Sequence, residues 1–366
     1  MRAMTGIAAL LALGLGAAQI GGCGSGAHGA PGFEALGGAA SSEGGSGGGT
    51  VTTTTTTATT GQGGAGGAPE PKLGPPYPIV LAHGFFGFED FAGAGFLSYF
   101  YGIKDHLAAH GEPLVFTPAV DPFNDSTLRG AQLIAHIEEI LAETGHAKVN
   151  LIGHSQGGID ARVVAHDRPD LVASVITLQT PHYGTPIADV ALELVDDPNL
   201  AAVLDFLVQA VGAPLYDQVG EQTSLALALQ QLSSPGMQAF NAAYPDMPGI
   251  YYASVAGRSD WHTGGSACQV SGSPDFISQF ASELDPIDPL LDITEQVLDG
   301  GLTNPYPNDG LVRVVDARWG EFLGCLPADH LDMVGQILGD DPGLLNDWDY
   351  AQFYVDLVQH LRARGL

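Results

Sequence analysis

Positive charge is scarce in this chain. Its 366 residues include 12 Lys and Arg against 41 Asp and Glu, which gives a formal net charge of −29. A chain this acidic would be repelled by phosphate groups, which argues against nucleic acid as a partner and against electrostatic docking on anionic membranes. The acidity is typical of a protein that stays soluble in an external or salty medium, and it says little about chemistry.

The chain also lacks a long apolar run near its N-terminus. The apolar stretch from Ile7 to Ile20 is shorter than the roughly 20 residues that a membrane-spanning helix needs. Arg2 precedes it, and two glycines and Cys23 follow it, as in a bacterial lipoprotein signal. We predict a signal peptide over residues 1–22, with lipidation of Cys23 or an ordinary secretory cleavage nearby. Either outcome places the mature chain outside the cytoplasm, anchored to a membrane or secreted.

Residues 23–74 have little that could form a core. After Cys23 the segment consists of Gly, Ser and Ala blocks around a run of threonines. Such a composition cannot bury enough apolar surface to offset the entropy lost on ordering. We therefore predict a disordered tether, followed by a single folded domain over residues 75–366.

The most informative stretch of that domain is Gly-x-Ser-x-Gly at residues 153–157. An apolar run that starts at Val149 precedes it, and a helical pattern begins at Gln156. Strand, sharp turn and helix form the context of a nucleophile elbow, which lifts Ser155 out of the sheet edge. A Cβ at Gly153 or Gly157 would collide with the neighbouring strand and helix. The amide of Gln156 starts the helix, where it can donate to an oxyanion.

Strand and helix patterns alternate around this stretch. Apolar strands are predicted over residues 77–82, 114–120, 172–178 and 250–255, and a helix that Ser126 can cap is predicted up to about Glu143. Such alternation predicts a mostly parallel sheet with helices on both faces. The first strand ends in His83-Gly84, so the amide of Phe85 is a candidate for the second oxyanion donor.

These motifs resemble, in order and spacing, the secreted bacterial triacylglycerol lipases of the Pseudomonas and Burkholderia type. Besides the elbow and the first strand, the matching motifs are Thr180-Pro181-His182, Asn308-Asp309-Gly310-Leu311-Val312 and His330-Leu331-Asp332. The resemblance covers about residues 75–366 and implies an α/β-hydrolase fold with an inserted helical lid. The Leu- and Ala-rich residues 187–245 fit that lid, or a packed helical subdomain that does not move.

In α/β-hydrolases the catalytic residues follow the chain order Ser, acid, His. We predict His330 as the base, because it stands in a loop after the candidate acids. Asp309 matches the family position of the acid; Asp316 and Asp329 are its rivals. His154 adjoins the nucleophile and is expected to pack near the elbow rather than to act as the base.

The resemblance also implies one structural Ca²⁺ ion that holds the loop of His330. The matching ligands are the side chains of Asp285 and Asp332, an oxygen of Gln336 and the carbonyl of Asp340. Carboxylates and neutral oxygens suit a hard cation, although each Asp could instead cap a turn. Asp288 is the rival of Asp285, and this chain has Met333 and Gly335 where relatives usually have Glu and Asn.

Only three cysteines occur in the chain. If Cys23 is lipidated, Cys268 and Cys325 remain as an even pair in an oxidising compartment and are expected to form a disulfide. The family disulfide falls in a similar region.

The predicted activity is hydrolysis of carboxylic esters, most of all triacylglycerols, through an acyl-enzyme on Ser155. The partners implied are a lipid ester, a lipid–water interface and a lipase-specific chaperone. An acyltransferase or phospholipase would use the same triad, and a non-catalytic surface binding protein could share the fold.

Overall fold

The computed structural model describes residues 71–85, 98–195, 223–260, 263–289, 291–299, 306–336, 339, 342–343 and 346–366. The predicted signal peptide, Cys23 and nearly all of the predicted tether lie outside them. Among the described residues the chain first pairs with the rest of the fold at Leu73, which bridges to His146.

Six parallel strands form one sheet. They are β1 (Ile79–Ala82), β2 (Val115–Phe116), β3 (Val149–His154), β4 (Val172–Leu178), β5 (Tyr251–Arg258) and β6 (Glu321–Pro327). Their order in the sheet is β2-β1-β3-β4-β5-β6, and every neighbouring pair is parallel. The predicted parallel sheet is confirmed, and its central strand β3 carries the elbow at its carboxyl end.

Helices connect the strands. The described ones are α1 (Ile103–Ala109), α2 (Ser126–Thr144), α3 (Gln156–Asp167), α4 (Pro186–Val195), α5 (Leu225–Leu232), α6 (Ser234–Ala243), α7 (Gly265–Cys268), α8 (Asp275–Ser278), α9 (Asp292–Leu298) and α10 (Tyr350–Ala363). Short 3₁₀ turns cover Pro169–Leu171 and Asp332–Val334. None of the helices in the described part is long and apolar enough to cross a membrane.

Strand residues alternate between two cores. Ile79 and Leu81 face a core covered by α1 and α10, whereas Val80 and Ala82 face a second core covered by α2 and α3. The alternation follows from the period of two along a strand. Each fully buried Ile or Leu side chain contributes about 1.5–3 kcal/mol relative to exposure, so both faces of the sheet hold the elbow strand in place.

Several element boundaries differ from the predicted ones; β1 begins two residues later and β5 ends three residues later. Strand β2 covers only Val115–Phe116, because Pro118 has no N–H with which to continue the ladder. Helix α2 is capped by Asp125, whose side chain accepts a hydrogen bond from the amide of Thr127, and Ser126 is already its first residue.

The predicted insertion 187–245 is helical where the structure describes it. Helices α4, α5 and α6 belong to it, and residues 196–222 lie outside the described residues. Met237 and Phe240 of α6 pack on Ile159 and Val163 of α3, which anchors this part of the insertion to the helix after the elbow. Its role as a lid stays a prediction.

A buried ion pair joins α2 to α3. The guanidinium of Arg129 lies 2.8 Å from the carboxylate of Asp160, and both side chains are fully buried. Arg129 also donates hydrogen bonds to the carbonyls of His83, Gly84 and Asp121. One cation therefore fixes both helices and the turn that follows β1.

We expect Asp160→Asn to lower the free energy of unfolding by about 3 kcal/mol, because it leaves the Arg129 charge buried without its partner carboxylate. Urea denaturation followed by circular dichroism measures the loss. Glu138→Gln is the control: Glu138 pairs with Arg168 at the surface, where such pairs contribute at most about 1 kcal/mol. Equal losses in the two variants would contradict a structural role for the buried pair.

Candidate active site

Ser155 stands in a strained turn between β3 and α3. Its φ of 54° and ψ of −130° lie in a region that side-chain-bearing residues rarely adopt. The amide of Ser155 donates to the carbonyl of Leu178 at the end of β4, at 2.9 Å. The predicted turn geometry at Ser155 is thus observed, with the neighbouring strand holding it.

Glycines make this turn possible. A Cβ on Gly153 would lie 2.5 Å from the backbone of Gly157, and a Cβ on Gly157 would lie 2.1 Å from the carbonyl oxygen of Ala82. Both contacts are far below normal separation, so the expected need for glycine at these positions is confirmed. Gly158 is equally constrained, because its Cβ would lie 2.1 Å from Oγ1 of Thr180.

The structure brings Asp309 and His330 together. Nδ1 of His330 lies 2.9 Å from Oδ2 of Asp309, and the side chains are 6% and 1% exposed. Oδ1 of Asp309 accepts hydrogen bonds from the amides of Leu311 and Val312. The carboxylate is therefore fixed in orientation and aimed at one nitrogen of the imidazole. The His330 ring lies 4.6 Å, centre to centre, from the ring of His154, which precedes Ser155.

The rival acids have other partners. Asp316 forms an ion pair with Arg313. Asp329 directs its carboxylate to the backbone amides of Asp288, Leu331 and Asp332. Among the described residues, the carboxylate bonded to the His330 ring is that of Asp309, so geometry favours Asp309 as its acid.

Other histidines that follow Ser155 in the chain are bonded elsewhere or lie outside the described residues. His182 is buried between Arg162 and Thr177, and burial together with the Arg162 charge lowers its pKa well below the usual value. His360 lies in the last turn of α10. His262 lies outside the described residues.

The turn after β1 runs directly against the elbow. A Cβ on Gly84 would lie 2.7 Å from Cβ of Ser155, so only glycine lets the turn approach the serine. His83 accepts a hydrogen bond from the amide of Val120 at Nε2 and so donates from Nδ1 to the carbonyl of Gly84. Burial, with the Arg129 charge, lowers the pKa of His83 to about 3, which keeps the ring neutral. This scaffold places Gly84, the residue before Phe85, against Ser155.

Gln156 begins α3, so its backbone amide belongs to the N-terminal turn of that helix. Its side chain donates from Nε2 to the carbonyl of Asn124 at 2.7 Å and is fully buried. The side chain thus fixes the start of the helix, while its amide keeps the position expected of an oxyanion donor.

A network behind the elbow was only partly predicted. His154 packs beside the elbow, as expected, and bonds to Tyr99 and Gln179. Neither partner was singled out from the sequence. The one available signal was that Gln179 directly precedes the Thr180-Pro181-His182 motif.

Three carboxylates meet beneath the loop of His330. One oxygen from each of Asp285, Asp329 and Asp332 lies within 4.8 Å of the others, and all three residues are buried. Burial first, and then repulsion among the carboxylates, raises the pKa of Asp285 and of Asp332; burial is also the main cause of the raised pKa of Asp329. The sequence analysis considered Asp329 only as a rival catalytic acid. The spacing of the motifs did not indicate that its carboxylate would join Asp285 and Asp332.

The cluster fits a hard cation. Both carboxylate oxygens of Asp285 are buried and make no hydrogen bond of ordinary geometry with the described residues. A buried cluster of three carboxylates is the kind of oxygen donor set that Ca²⁺ prefers. Asp285 rather than Asp288 joins the cluster. Nε2 of Gln336 donates to the carbonyls of Ser98 and Tyr99, so Gln336 as a ligand stays a prediction. Asp340 lies outside the described residues.

Cys268 and Cys325 form the expected disulfide, which closes a sequence separation of 57 residues. Cys325 belongs to β6, the strand that leads into the loop of His330. The bond ties α7 to that strand and is typical of an oxidising compartment outside the cytoplasm.

Comparison with known folds agrees with this architecture. The model of the alpha/beta hydrolase fold family matches residues 77–211. The crystal structure of the Staphylococcus hyicus lipase superposes with a TM-score of 0.55 at 18% identity, over 79% of this chain and 95% of that one. A metagenomic carboxyl esterase, MGS0156, superposes with a TM-score of 0.53 at 17% identity, over 84% and 82%. Fold and site together define an α/β hydrolase.

Relatives of higher sequence identity specify the family within the α/β hydrolases. The triacylglycerol lipase of Vibrio cholerae is 35% identical over 300 residues, which cover 79% of this chain and 89% of the relative. That of Pseudomonas fragi is 32% identical over 79% and 97%, and that of Burkholderia plantarii is 31% identical over 72% and 80%. The chain belongs to the triacylglycerol lipase family of the α/β hydrolases, which confirms the resemblance found in its motifs.

Proposed function

We propose that this chain hydrolyses carboxylic esters, with triacylglycerols at a lipid–water interface as its substrates. The observation that carries the proposal is the buried hydrogen bond between Asp309 and His330, formed beside a serine in nucleophile-elbow geometry. Relatives named triacylglycerol lipases support the choice of substrate.

Each group has a role in the reaction. The hydroxyl of Ser155 attacks the ester carbonyl, and His330 accepts its proton at Nε2. Asp309 holds Nδ1–H of His330 and stabilises the imidazolium. The amides of Phe85 and Gln156 donate to the oxyanion. His330 returns the proton to the leaving alcohol. Water then attacks the acyl-enzyme: His330 accepts a proton from the water and passes it to Oγ of Ser155, which leaves as the fatty acid is released.

We expect Ser155→Ala, His330→Ala and Asp309→Asn each to lower kcat for ester hydrolysis by about 10³-fold or more, because the triad acts as a unit. Release of fatty acid from emulsified triacylglycerol measures the effect, and thermal melts check folding. Asp316→Asn is the matched control and should keep near-normal kcat.

Full activity in Asp309→Asn together with loss in Asp316→Asn would reassign the acid. Preferred cleavage of phospholipids, or transfer of the acyl group to an added alcohol in preference to water, would contradict the proposed substrate class and favour the alternative activities.

The three-carboxylate cluster would hold one structural Ca²⁺, through Asp285, Asp329 and Asp332. The ion would supply positive charge to carboxylates that otherwise repel one another. Asp329 and Asp332 flank His330, so binding at the cluster fixes the loop that carries the base. Gln336 and Asp340 remain further ligands expected from the family resemblance.

Chelation of calcium should lower the melting temperature and the activity together. A ligand at 100 times its Kd stabilises a protein by about 2.7 kcal/mol, which for a domain of this size is a shift of about 4–5 °C. Ca²⁺ should restore both properties, and Mg²⁺ should do so poorly because it needs a tighter octahedral shell. Asp285→Ala should reproduce the effect of the chelator, whereas Asp288→Ala should remain sensitive to it. Absence of bound calcium by metal analysis, with stability indifferent to chelation, would rule out the site.

The mature chain acts outside the cytoplasm, anchored to a membrane through lipidated Cys23 and held at a distance by the tether. The sequence before Cys23 and the disulfide between Cys268 and Cys325 support this placement. A lipase-specific folding chaperone remains an expectation from the family resemblance.

Expressed in a bacterial host with its own leader, the protein should partition with membranes and carry acyl mass on its N-terminal peptide. Cys23→Ser should release it or block its maturation, since no thiol remains to be lipidated. Equal partitioning of the two forms, with no acylated peptide by mass spectrometry, would contradict anchoring.

A further inference from the structure

We propose that Gln179 is a positioning residue that sets the place of His330 relative to Ser155. The proposal rests on the proposed function, because it assigns roles to those two residues. Gln179 directly follows β4 and is fully buried. Its side chain bonds to residues that adjoin Ser155 and His330 rather than to the Ser155 hydroxyl or the His330 imidazole, so any effect on catalysis passes through the groups it holds.

The hydrogen bonds of the Gln179 side chain run to both halves of the site. Nε2 donates to the carbonyl of Ala328 at 3.1 Å and to that of Asp329 at 2.9 Å, the two residues before His330. Oε1 lies 3.1 Å from Nε2 of His154, the residue before Ser155. One amide therefore links the elbow to the loop of the base.

The direction of every bond in this network is determined. The amide of Gln179 presents its two N–H groups to two carbonyls, and the reversed amide would place oxygen against oxygen. Oε1 is thus an acceptor, which makes Nε2 of His154 the protonated nitrogen and leaves Nδ1 to accept from the hydroxyl of Tyr99 at 2.7 Å. Burial, with the neighbouring His330, lowers the pKa of His154 well below its usual value and keeps the ring in this neutral form.

The backbone of Gln179 is strained to reach this position. Among the described residues only Ser155, Gln179 and Asp260 have a positive φ without being glycine, and φ of Gln179 is 50°. Glycine would adopt that φ without strain. A glutamine held there indicates that its side chain serves a purpose that glycine cannot.

The surrounding strands leave space for the side chain. A Cβ on Gly257 of β5 would lie 1.7 Å from Nε2 of Gln179 and 2.5 Å from the carbonyl of Ala328. The amide passes over this glycine to reach the loop. On its other side, the carbonyl of Leu178 accepts from the amide of Ser155, so two consecutive residues hold the nucleophile and the base in register.

The test is Gln179→Gly in the full chain. This change relieves the backbone strain but leaves the buried carbonyls of Ala328 and Asp329 without their donor, so the melting temperature should fall by a few degrees while the enzyme stays folded at the assay temperature. The value of kcat should nevertheless fall about 10- to 100-fold with KM within twofold, because a small displacement of the base costs that much in rate. The rate of Ser155 labelling by a serine-directed phosphonate should fall by a similar factor.

Gln179→Met is the second variant. It keeps the length of the side chain but removes both hydrogen-bond functions, so kcat should fall in it as well. Asn150→Ala is the matched control: Asn150 is a fully buried amide at the opposite end of β3, bonded to Ser174. The control should lose stability while its folded fraction keeps normal kcat.

A Gln179→Gly enzyme with kcat within twofold of the unmodified enzyme would overturn the proposal. A loss of activity that only follows the loss of folded protein, as in the control, would overturn it too. If the unmodified chain hydrolyses no ester, the proposed function fails instead, and the phosphonate labelling rates of the same variants still decide whether Gln179 positions His330.

Discussion

The strained backbone of Ser155 is the constraint on which the rest of the site depends. A residue with φ of 54° is tolerated only where its surroundings determine it. Here the cores on both faces of the sheet fix β3, and the carbonyl of Leu178 holds the serine amide. Gly153 and Gly157 give the backbone the space to turn. The strain projects the hydroxyl from the sheet edge, where the base and the oxyanion donors can meet it.

The carboxyl ends of the strands hold both the strained backbone positions and many of the buried polar groups. The three non-glycine residues with positive φ in the described part follow β3, β4 and β5, which are adjacent strands. The groups behind them are almost all paired: Arg129 with Asp160, His154 with Tyr99 and Gln179, and Asp309 with His330. Both carboxylate oxygens of Asp285 lack such a partner among the described residues, which supports the proposed cation site.

Local sequence was enough to predict the sheet, the elbow and its two glycines, because strand, turn and helix there are contiguous. His330 followed from its place in a loop late in the chain, and the pair Cys268 and Cys325 from the count of cysteines. The choice of Asp309 over Asp316 and Asp329 required the family order of motifs. Arg129, Tyr99, Gln179 and the carboxylate of Asp329 were missed as parts of the site. Each acts through contacts with segments distant in the chain. None lies in a sequence motif or periodic pattern that would predict its role. The shortness of β2 was within reach of sequence reasoning, because Pro118 interrupts the predicted strand.

The central claim is that the hydroxyl of Ser155 carries the acyl group during ester hydrolysis. It is tested most directly by mixing the enzyme with an activated ester, quenching in acid within milliseconds, and mapping the acyl mass by peptide mass spectrometry. The account predicts one acyl group per chain on the peptide that contains Ser155, and none in Ser155→Ala. Hydrolysis that proceeds with the acyl group on another residue, or equally fast without Ser155, would contradict it.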